Sequence, residues 1–230
     1  DNGIISLNQF RHNNFKTGRC LVLITPNSER TMGTYLGASE QLKFDTGFID
    51  HINNSKIIFS EGYQLTSSEN FEAFVSILES TNQEVKFAFS LSDPFVIENF
   101  RDRVEKILEL KRIDYLFCNL EEAKSLVGDN FEDSLKQITN NFVVTNGSKP
   151  STVFSNGQFK QLSPFEVKAI DSNGAGDIFA GSTLHKIIEG ESFFHACEFG
   201  NYASSIIVQE KSPRLSKVKY TEIVTNFKRD

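Results

Sequence analysis

The residues best suited to do chemistry lie in one short run, Asp171-Ser172-Asn173-Gly174-Ala175-Gly176-Asp177. It leads straight into a stretch where Ile178, Phe179, Ala180, Thr183, Leu184, Ile187 and Ile188 recur at helical spacing, with Gly190 as a stop. Glycines at the mouth of a helix let the backbone bend so that several N–H groups point outward together. Those groups have no partner inside the helix, and the helix dipole adds partial positive charge there. Such a mouth receives an anion. Asp177, in the first turn, places a carboxylate beside whatever the N–H groups hold. An anion cradle next to a carboxylate is the chemistry of phosphoryl transfer: the cradle steadies the moving phosphate and the carboxylate takes a proton from the attacking hydroxyl. The same residues also read as a capped turn, with Asp171 or Ser172 as N-cap and Asp177 as a first-turn acid placed for the dipole. Gly-x-Gly before a helix is a weak signal by itself.

Three further groups are candidates. Asn119 and Glu122 stand three residues apart at the start of a helix and face the same side of its first turn. They offer magnesium oxygen ligands directly or through water, or they form a capping arrangement with no other role. Val144-Thr145-Asn146-Gly147-Ser148 ends a strand in hydroxyls, an amide and a glycine. That is a wall for nucleotide phosphates or ribose, or a plain exit into a turn. Arg30 follows a turn in a hairpin and either reaches a phosphate or guards a solvated edge. Nucleophilic catalysis has little support: the four histidines show no metal spacing, and neither a Gly-x-Ser-x-Gly elbow nor a P-loop occurs.

The elements that must position these groups follow from periodicity. Cys20–Thr25 and Glu29–Leu36 flank Pro26-Asn27-Ser28 as a hairpin. From Ser55 the chain alternates. Strands are expected at 56–60, 85–90, 113–118 and 142–146, with helices at 67–80, from Pro94 through Leu108 behind an Asp93 cap, and from Leu120. Strand–helix alternation signals a parallel sheet with crossover helices, and ligands bind outside the carboxyl ends of its strands. The segments after the strands are therefore the informative ones: Ser90 to Pro94, Asn119 to Glu122 and Thr145 to Lys149. Asn156-Gly157 marks a second hairpin, and helices follow from Gly174, from about Glu191 to Val208, and after Val218.

Length and composition set outer bounds. A chain of 230 residues can bury a substantial core as one α/β unit. Its net charge of −6 argues against a nucleic-acid binder but not against a phosphate held in a local cradle. The three cysteines, Cys20, Cys118 and Cys197, are odd in number and far apart, which suits free thiols in a cytoplasmic protein rather than a disulfide or zinc framework. No apolar run reaches membrane-spanning length, and no membrane association is expected.

In this order the pieces resemble the ribokinase or pfkB-type family of carbohydrate and nucleoside kinases. Asp171 to Asp177, continuing Ile178-Phe179-Ala180-Gly181, is similar to that family's carboxyl-terminal signature. Asn119 to Glu122 is similar to its Asn-x-x-Glu motif, and Val144 to Ser148 to its nucleotide-contacting strand end. Asn173, Arg30-Thr31-Met32 with Leu36-Gly37-Ala38, and Ser90 to Phe95 lean toward the adenosine-kinase-like branch. The resemblance implies a mainly parallel α/β sheet flanked by helices with a small lid hairpin. Residues 1–18 would be irregular, 19–40 the lid strands and 41–230 the kinase core. It implies ATP and magnesium as cofactors, with potassium as a further candidate. The implied acceptor is the hydroxymethyl of a sugar or nucleoside, adenosine-like or fructose/ribose-like. Asp177 would be the general base, and Gly174, Ala175 and Gly176 the anion hole. Thr145, Gly147, Ser148 and Asn201 would flank ATP, and Asn119 and Glu122 would serve magnesium. Arg30 would touch phosphate, and Asp171 and Asn173 would hold a monovalent cation. A homodimer through the lid is also expected.

Two departures stand out. Pro150 replaces a glycine common after the nucleotide strand, and no Gly-Gly pair of the kind found in the family's sugar-binding half occurs. The chain is therefore expected to lack an amino-terminal portion of about a hundred residues, judged from usual domain sizes. A non-catalytic nucleotide- or metabolite-binding protein is the competing expectation.

Overall fold

The computed structural model describes residues 14–24, 30–41 and 43–227, without the side chains of Ile24 and Arg30. Most of the amino-terminal stretch expected to be irregular, and the turn expected at Pro26-Asn27-Ser28, lie outside the described residues. The strands of the hairpin form: β1 (Arg19–Ile24) and β2 (Arg30–Tyr35) pair antiparallel as a two-stranded sheet apart from the main one. A 3-10 turn at Gly37–Glu40 ties its base to the body, where Asn70 Nδ2 donates to the Ser39 carbonyl at 2.7 Å and Ser67 Oγ to the Glu40 carbonyl at 3.0 Å.

After a short helix α1 (Ile49–Asn53) comes β3 (Ile57–Glu61) and then α2 (Ser68–Ser80), whose Asn70 N–H is capped by Ser67 Oγ at 3.1 Å. Next come β4 (Lys86–Ser90), α3 (Pro94–Asn99), α4 (Arg101–Leu110), β5 (Tyr115–Asn119), α5 (Leu120–Val127), α6 (Phe131–Ile138) and β6 (Asn141–Asn146). β7 (Lys149–Ser155) and β8 (Gln158–Leu162) form the second hairpin, with Asn156 and Gly157 both at positive φ, +49° and +84°. That is the primed turn an Asn-Gly pair favours. The helices α7 (Ala175–Ile188), α8 (Phe193–Ile207) and α9 (Lys217–Asn226) complete the order.

The main sheet runs β3-β4-β5-β6-β7-β8, parallel across its first four strands and antiparallel beyond. Side chains alternate between its faces. Phe87, Phe89, Leu116, Cys118, Phe142 and Val144 pack with the crossover helices of one layer. Ala88, Tyr115, Phe117, Val143 and Val153 meet Phe179, Ala180, Leu184, Phe193 and Cys197 of α7 and α8 on the other. Full burial of each phenylalanine contributes about 1.5–3 kcal/mol. The abundant aromatics thus hold α7 against the sheet, with Phe117 edge-on to Phe179 at 6.5 Å.

Three expectations need correcting. The single helix expected behind Asp93 is two, broken at Phe100, whose φ of −133° and ψ of 33° leave the helical region. Periodicity passes through this break because Phe100 keeps its place on the stripe and packs edge-on with Phe95 at 6.1 Å. Phe95, which helical spacing puts on one buried stripe with Val96, Phe100, Val104, Ile107 and Leu108, is instead 55% exposed. Ile188, expected on the apolar side of α7, is 47% exposed because the helix ends there, one turn beyond its last buried contact at Leu184.

Candidate active site

Four parallel strands carry polar residues at their carboxyl ends: Glu61, Ser90, Asn119 and Thr145. Each lies two residues beyond a side chain that faces the α7 layer. Ala88, Phe117 and Val143 pack in that layer, and Phe59 meets Phe117 edge-on at 6.2 Å. By the two-residue period of a strand all four belong to the α7 face. They form a polar ledge at the carboxyl edge of the sheet, opposite the mouth of α7.

The mouth is built by Gly174 and the chain that returns to meet it. Gly174 is the N-cap at φ +79°, a conformation that L side chains rarely adopt, and a Cβ there would lie 2.7 Å from the Pro213 carbonyl oxygen. The expected caps are not used. The Asp171 carboxylate accepts instead from the Asn173 N–H at 2.9 Å and from Asn173 Nδ2 at 3.2 Å, which stiffens the loop. The Ala175 N–H turns back to the Ser172 carbonyl at 3.2 Å. Among the described residues the Gly176 and Asp177 amides meet no hydrogen-bond acceptor, so they are the donors aimed outward.

The mouth stands between two cavities. One, of about 280 Å³, is lined by Thr145, Gly147, Ser148, Ala175, Gly176 and Asn201, so six of the residues singled out in the sequence share it. Ser172, from the same run, adds to the wall, and Phe165 and Val167 add walls that sequence reasoning did not assign. Asn201 is steadied by donating from Nδ2 to the Ser163 carbonyl at 2.8 Å. The other cavity, of about 490 Å³, is open to Gly174, Asp177, His185 and Arg214. Gly174 and Asp177 thus line the second cavity and not the first. Asp171 and Asn173 lie in the loop before it, and the Arg30 side chain falls outside the described residues.

Asn119 and Glu122 form the capping arrangement that their spacing allows. The Glu122 N–H donates to Asn119 Oδ1 at 2.8 Å, and Glu122 receives the Asn119 N–H at 3.0 Å and Asn119 Nδ2 at 2.6 Å. This is a full capping box. The box also locks a carboxylate in place: two of its roughly four lone-pair sites are used and the rest stay available. Burial pushes the Glu122 carboxyl up to about 7, against the pull of Asn119's hydrogen bonds, and the charges of Asp93 and Glu121 add to the rise.

Two groups missed in the sequence join the ledge. Glu61 is held above the ordinary carboxylate range by burial and then by the nearby charge of Asp177. Tyr63 donates to Asp93 Oδ2 at 3.4 Å, and burial together with Asp93 pushes its hydroxyl up to about 12. The one signal available for Glu61 was its place as the last residue of a strand. Among the described residues no Lys or Arg offsets Glu61 or Glu122, so this corner is acidic without internal neutralisation. Among the described residues no three His, Cys, Asp or Glu side chains converge into a metal cage.

A mainly parallel sheet flanked by helices, with a glycine-opened helix mouth at the carboxyl ends of its strands, is the ribokinase-like architecture. The chain belongs to the pfkB family of carbohydrate kinases, which it matches over residues 1–219. Among curated relatives it is 30% identical to an adenosine kinase of Dictyostelium discoideum, covering 91% of this chain and 66% of that protein. It is 27% identical to adenosine kinase 2 of Arabidopsis thaliana, covering 89% and 65%. It superposes on the crystal structure of adenosine kinase from Sinorhizobium meliloti with a TM-score of 0.82 at 26% identity, over 92% of this chain and 66% of that one. A ribokinase from Thermotoga maritima, at 22% identity and a TM-score of 0.72, shares the fold. The chain thus spans about two thirds of the length of the curated relatives it matches.

Proposed function

We propose that this chain is the nucleotide-binding and proton-abstracting part of a kinase that moves the terminal phosphoryl group of ATP to a hydroxymethyl group, with an adenosine-like nucleoside as the favoured acceptor and sugars as the alternative. The observation that carries this reading is the α7 mouth between two cavities, with Gly176, whose amide meets no acceptor among the described residues, lining one and Asp177 lining the other. The adenosine kinases among the relatives support the nucleoside.

In this mechanism Thr145, Gly147, Ser148 and Asn201 bind the nucleotide. The Gly176 and Asp177 amides, with the Gly174–Gly176 backbone around them, hold the phosphoryl group as negative charge redistributes during transfer. The Asp177 carboxylate takes the proton of the attacking hydroxyl as its oxygen bonds to phosphorus. Cys118 and Cys197 are buried, and burial pushes both thiols well up, so no covalent intermediate is assigned to them.

The ledge fits a divalent cation by its chemistry: oxygen ligands at Asn119 and Glu122, and no cationic side chain among the influences on Glu122. When bound, magnesium neutralises phosphate charge. Asp171 and Asn173 bond to each other, so a monovalent cation there would draw on backbone carbonyls as well. The β1–β2 hairpin serves as lid over the acceptor and as dimer surface, a role supported by Leu21 and Leu23, which are 64% and 56% exposed. Among the described residues no helix is long and apolar enough to cross a membrane, and a reducing cytoplasm is the compartment we propose for the free thiols.

The test is a coupled ADP-release assay on the full natural chain with a panel of nucleosides and sugars, run beside Asp177→Asn. Turnover is expected with an adenosine-like acceptor and should fall by several orders of magnitude in the variant while ATP binding persists. Near-normal turnover in Asp177→Asn removes the assigned base. ATP binding without transfer to any acceptor establishes the non-catalytic reading, which the chain's coverage of only two thirds of its relatives keeps in play.

A further inference from the structure

The main sheet has a second polar edge, at the amino ends of its parallel strands and opposite the α7 mouth. Lys86 begins β4, Tyr115 begins β5, Asn141 begins β6, and Ser155 ends β7, which runs the other way. Each lies two residues from Ala88, Phe117, Val143 or Val153 of the α7–α8 layer, so all four belong to the face that α8 covers. With Asn156, Gln158 and the start of α8 they line a cavity of about 340 Å³, the size of a small-molecule site. Asn141 and Ser155 are already engaged: Ser155 Oγ donates to Asn141 Oδ1 at 2.7 Å, and Asn141 Nδ2 to the Asp114 carbonyl at 3.0 Å. Other donors are not. An ammonium only donates, so in the 3.1 Å contact between Lys86 Nζ and the Tyr115 hydroxyl the phenol oxygen accepts. The phenol proton then meets no acceptor among the described residues, although Tyr115 is only 7% exposed. Lys86 itself makes no ion pair among the described residues. At the start of α8 the Ser192 hydroxyl takes the His195 N–H at 3.3 Å, and the Phe193 and Phe194 amides meet no acceptor among the described residues. A buried donor left unpaired costs free energy, so a ligand can supply what the protein does not.

The chemistry of that ligand follows from charge and hydrogen-bonding sense. No carboxylate lines the cavity, in a chain whose net charge is −6, and Glu84, Asp114 and Glu191, the acids nearest along the chain, stand outside its lining. Lys86 brings one positive charge, and the amino end of α8 adds about half of one. A phosphate monoester carries about −1.5 to −2 at neutral pH and three acceptor oxygens. It matches the cavity on both counts, where a carboxylate brings less charge and fewer acceptors. The donors are also held in place: the Tyr115 ring stacks on Phe193 with centroids 5.6 Å apart, and Lys86 Nζ lies 5.5 Å over the same ring. We propose that this cavity is a second ligand site, which takes the phosphate of a small organic phosphate monoester between Lys86, the Tyr115 hydroxyl and the first amides of α8, with the partly buried Phe194 against the organic part. The site stands at the opposite edge of the sheet from the α7 mouth and does not depend on the phosphotransfer reading.

The experiment titrates the full natural chain with phenyl phosphate, inorganic phosphate and phenol by calorimetry at constant ionic strength, beside Lys86→Gln and Gln158→Glu. Phenyl phosphate is expected to bind, inorganic phosphate to bind more weakly, and phenol not to bind. Lys86→Gln should weaken phenyl phosphate about ten- to a hundred-fold, the range for a hydrogen bond to a charged group. Gln158→Glu places a like charge on the wall and should weaken it as well, and ATP binding should stay unchanged in both variants. A wild-type protein that does not bind phenyl phosphate overturns the proposal, and so do equal affinities in wild type and Lys86→Gln. Equal affinities for inorganic phosphate and the ester would give the site to free phosphate and overturn the organic ligand. Binding that survives both substitutions and is displaced by ATP belongs to the α7 mouth and likewise overturns it. Lys86 and Gln158 are both exposed, and urea midpoints within experimental error of wild type exclude misfolding as the cause.

Discussion

Gly174→Ala and Gly176→Ala form a pair of substitutions in the same helix mouth with opposite expected consequences for stability. At Gly174 two costs add. The backbone sits at φ +79°, where an L residue is disfavoured by about 1–2 kcal/mol. The new methyl would also lie 2.7 Å from the Pro213 carbonyl oxygen, and a backbone atom cannot swing aside as a side-chain tip can. Overpacking of that kind costs about 1–3 kcal/mol, so the sum is about 3 kcal/mol, a large part of the about 5–15 kcal/mol that holds a domain together. For a chain of this size the melting temperature should fall by about 6–12 °C. Gly176 lies inside the helix, and a methyl added there would point into open space, with no neighbouring atom within 4 Å. Alanine replaces a poor helix former at that position and should leave the melt unchanged or raise it slightly, by about 0.5–1 kcal/mol. That methyl enters the cavity assigned to nucleotide, so phosphotransfer should drop in the variant that folds best. Thermal melts and the ADP-release assay on both variants measure this. If Gly174→Ala melts with the wild type, the reasoning on the Pro213 contact is wrong. If Gly176→Ala keeps full activity, its amide is not against the phosphate.

Two more outcomes follow from the packing and electrostatics. The Glu122 carboxyl is raised from 4.5 to about 7 in the folded protein, so its contribution to stability is fully present below pH 4.5 and is lost as pH rises through 7, a swing of about 3 kcal/mol. Urea unfolding in metal-free buffer should therefore show wild-type stability declining over that window and a flatter profile in Glu122→Gln, and equal slopes would remove burial as the dominant influence. Gly200→Ala places a methyl 2.4 Å from Thr183 Oγ1 and 2.8 Å from the Phe179 carbonyl oxygen, so it should force α7 and α8 apart at a cost of about 1–3 kcal/mol in chemical denaturation. Adding Thr183→Ala should recover only part of that loss, because the Phe179 carbonyl remains.

Much of the site was legible because its determinants are local. Ser67, Asp93 and Asn119 cap their helices through bonds spanning two or three residues, and Asn156-Gly157 makes its turn from its own backbone preferences. Strand–helix alternation also located the strand ends where Asn119 and Thr145 gather. Where expectation failed, the deciding contact lay outside the local pattern. Residues 94–110 keep one apolar stripe through Phe100, and periodicity cannot register the backbone break that lets Phe100 pack against Phe95 and Arg103. Asp171 and Ser172 have the right chemistry to cap α7, yet Gly174 holds that place because the chain at Pro213 returns against it.

The amino-acid sequence by itself determined the parallel α/β class, the glycine-opened mouth of α7 and the residue types on either side of it, since hydrogen-bond caps, turn conformations and side-chain periods act over a few residues. Only the tertiary structure decided that the mouth separates two cavities, that Gly176 and Asp177 carry the free amides, and that the charge of Asp177 reaches Glu61. The last of these joins residues more than a hundred positions apart. Such relations exist only once the crossover helices have laid the strands side by side and the aromatic layer has seated α7 upon them.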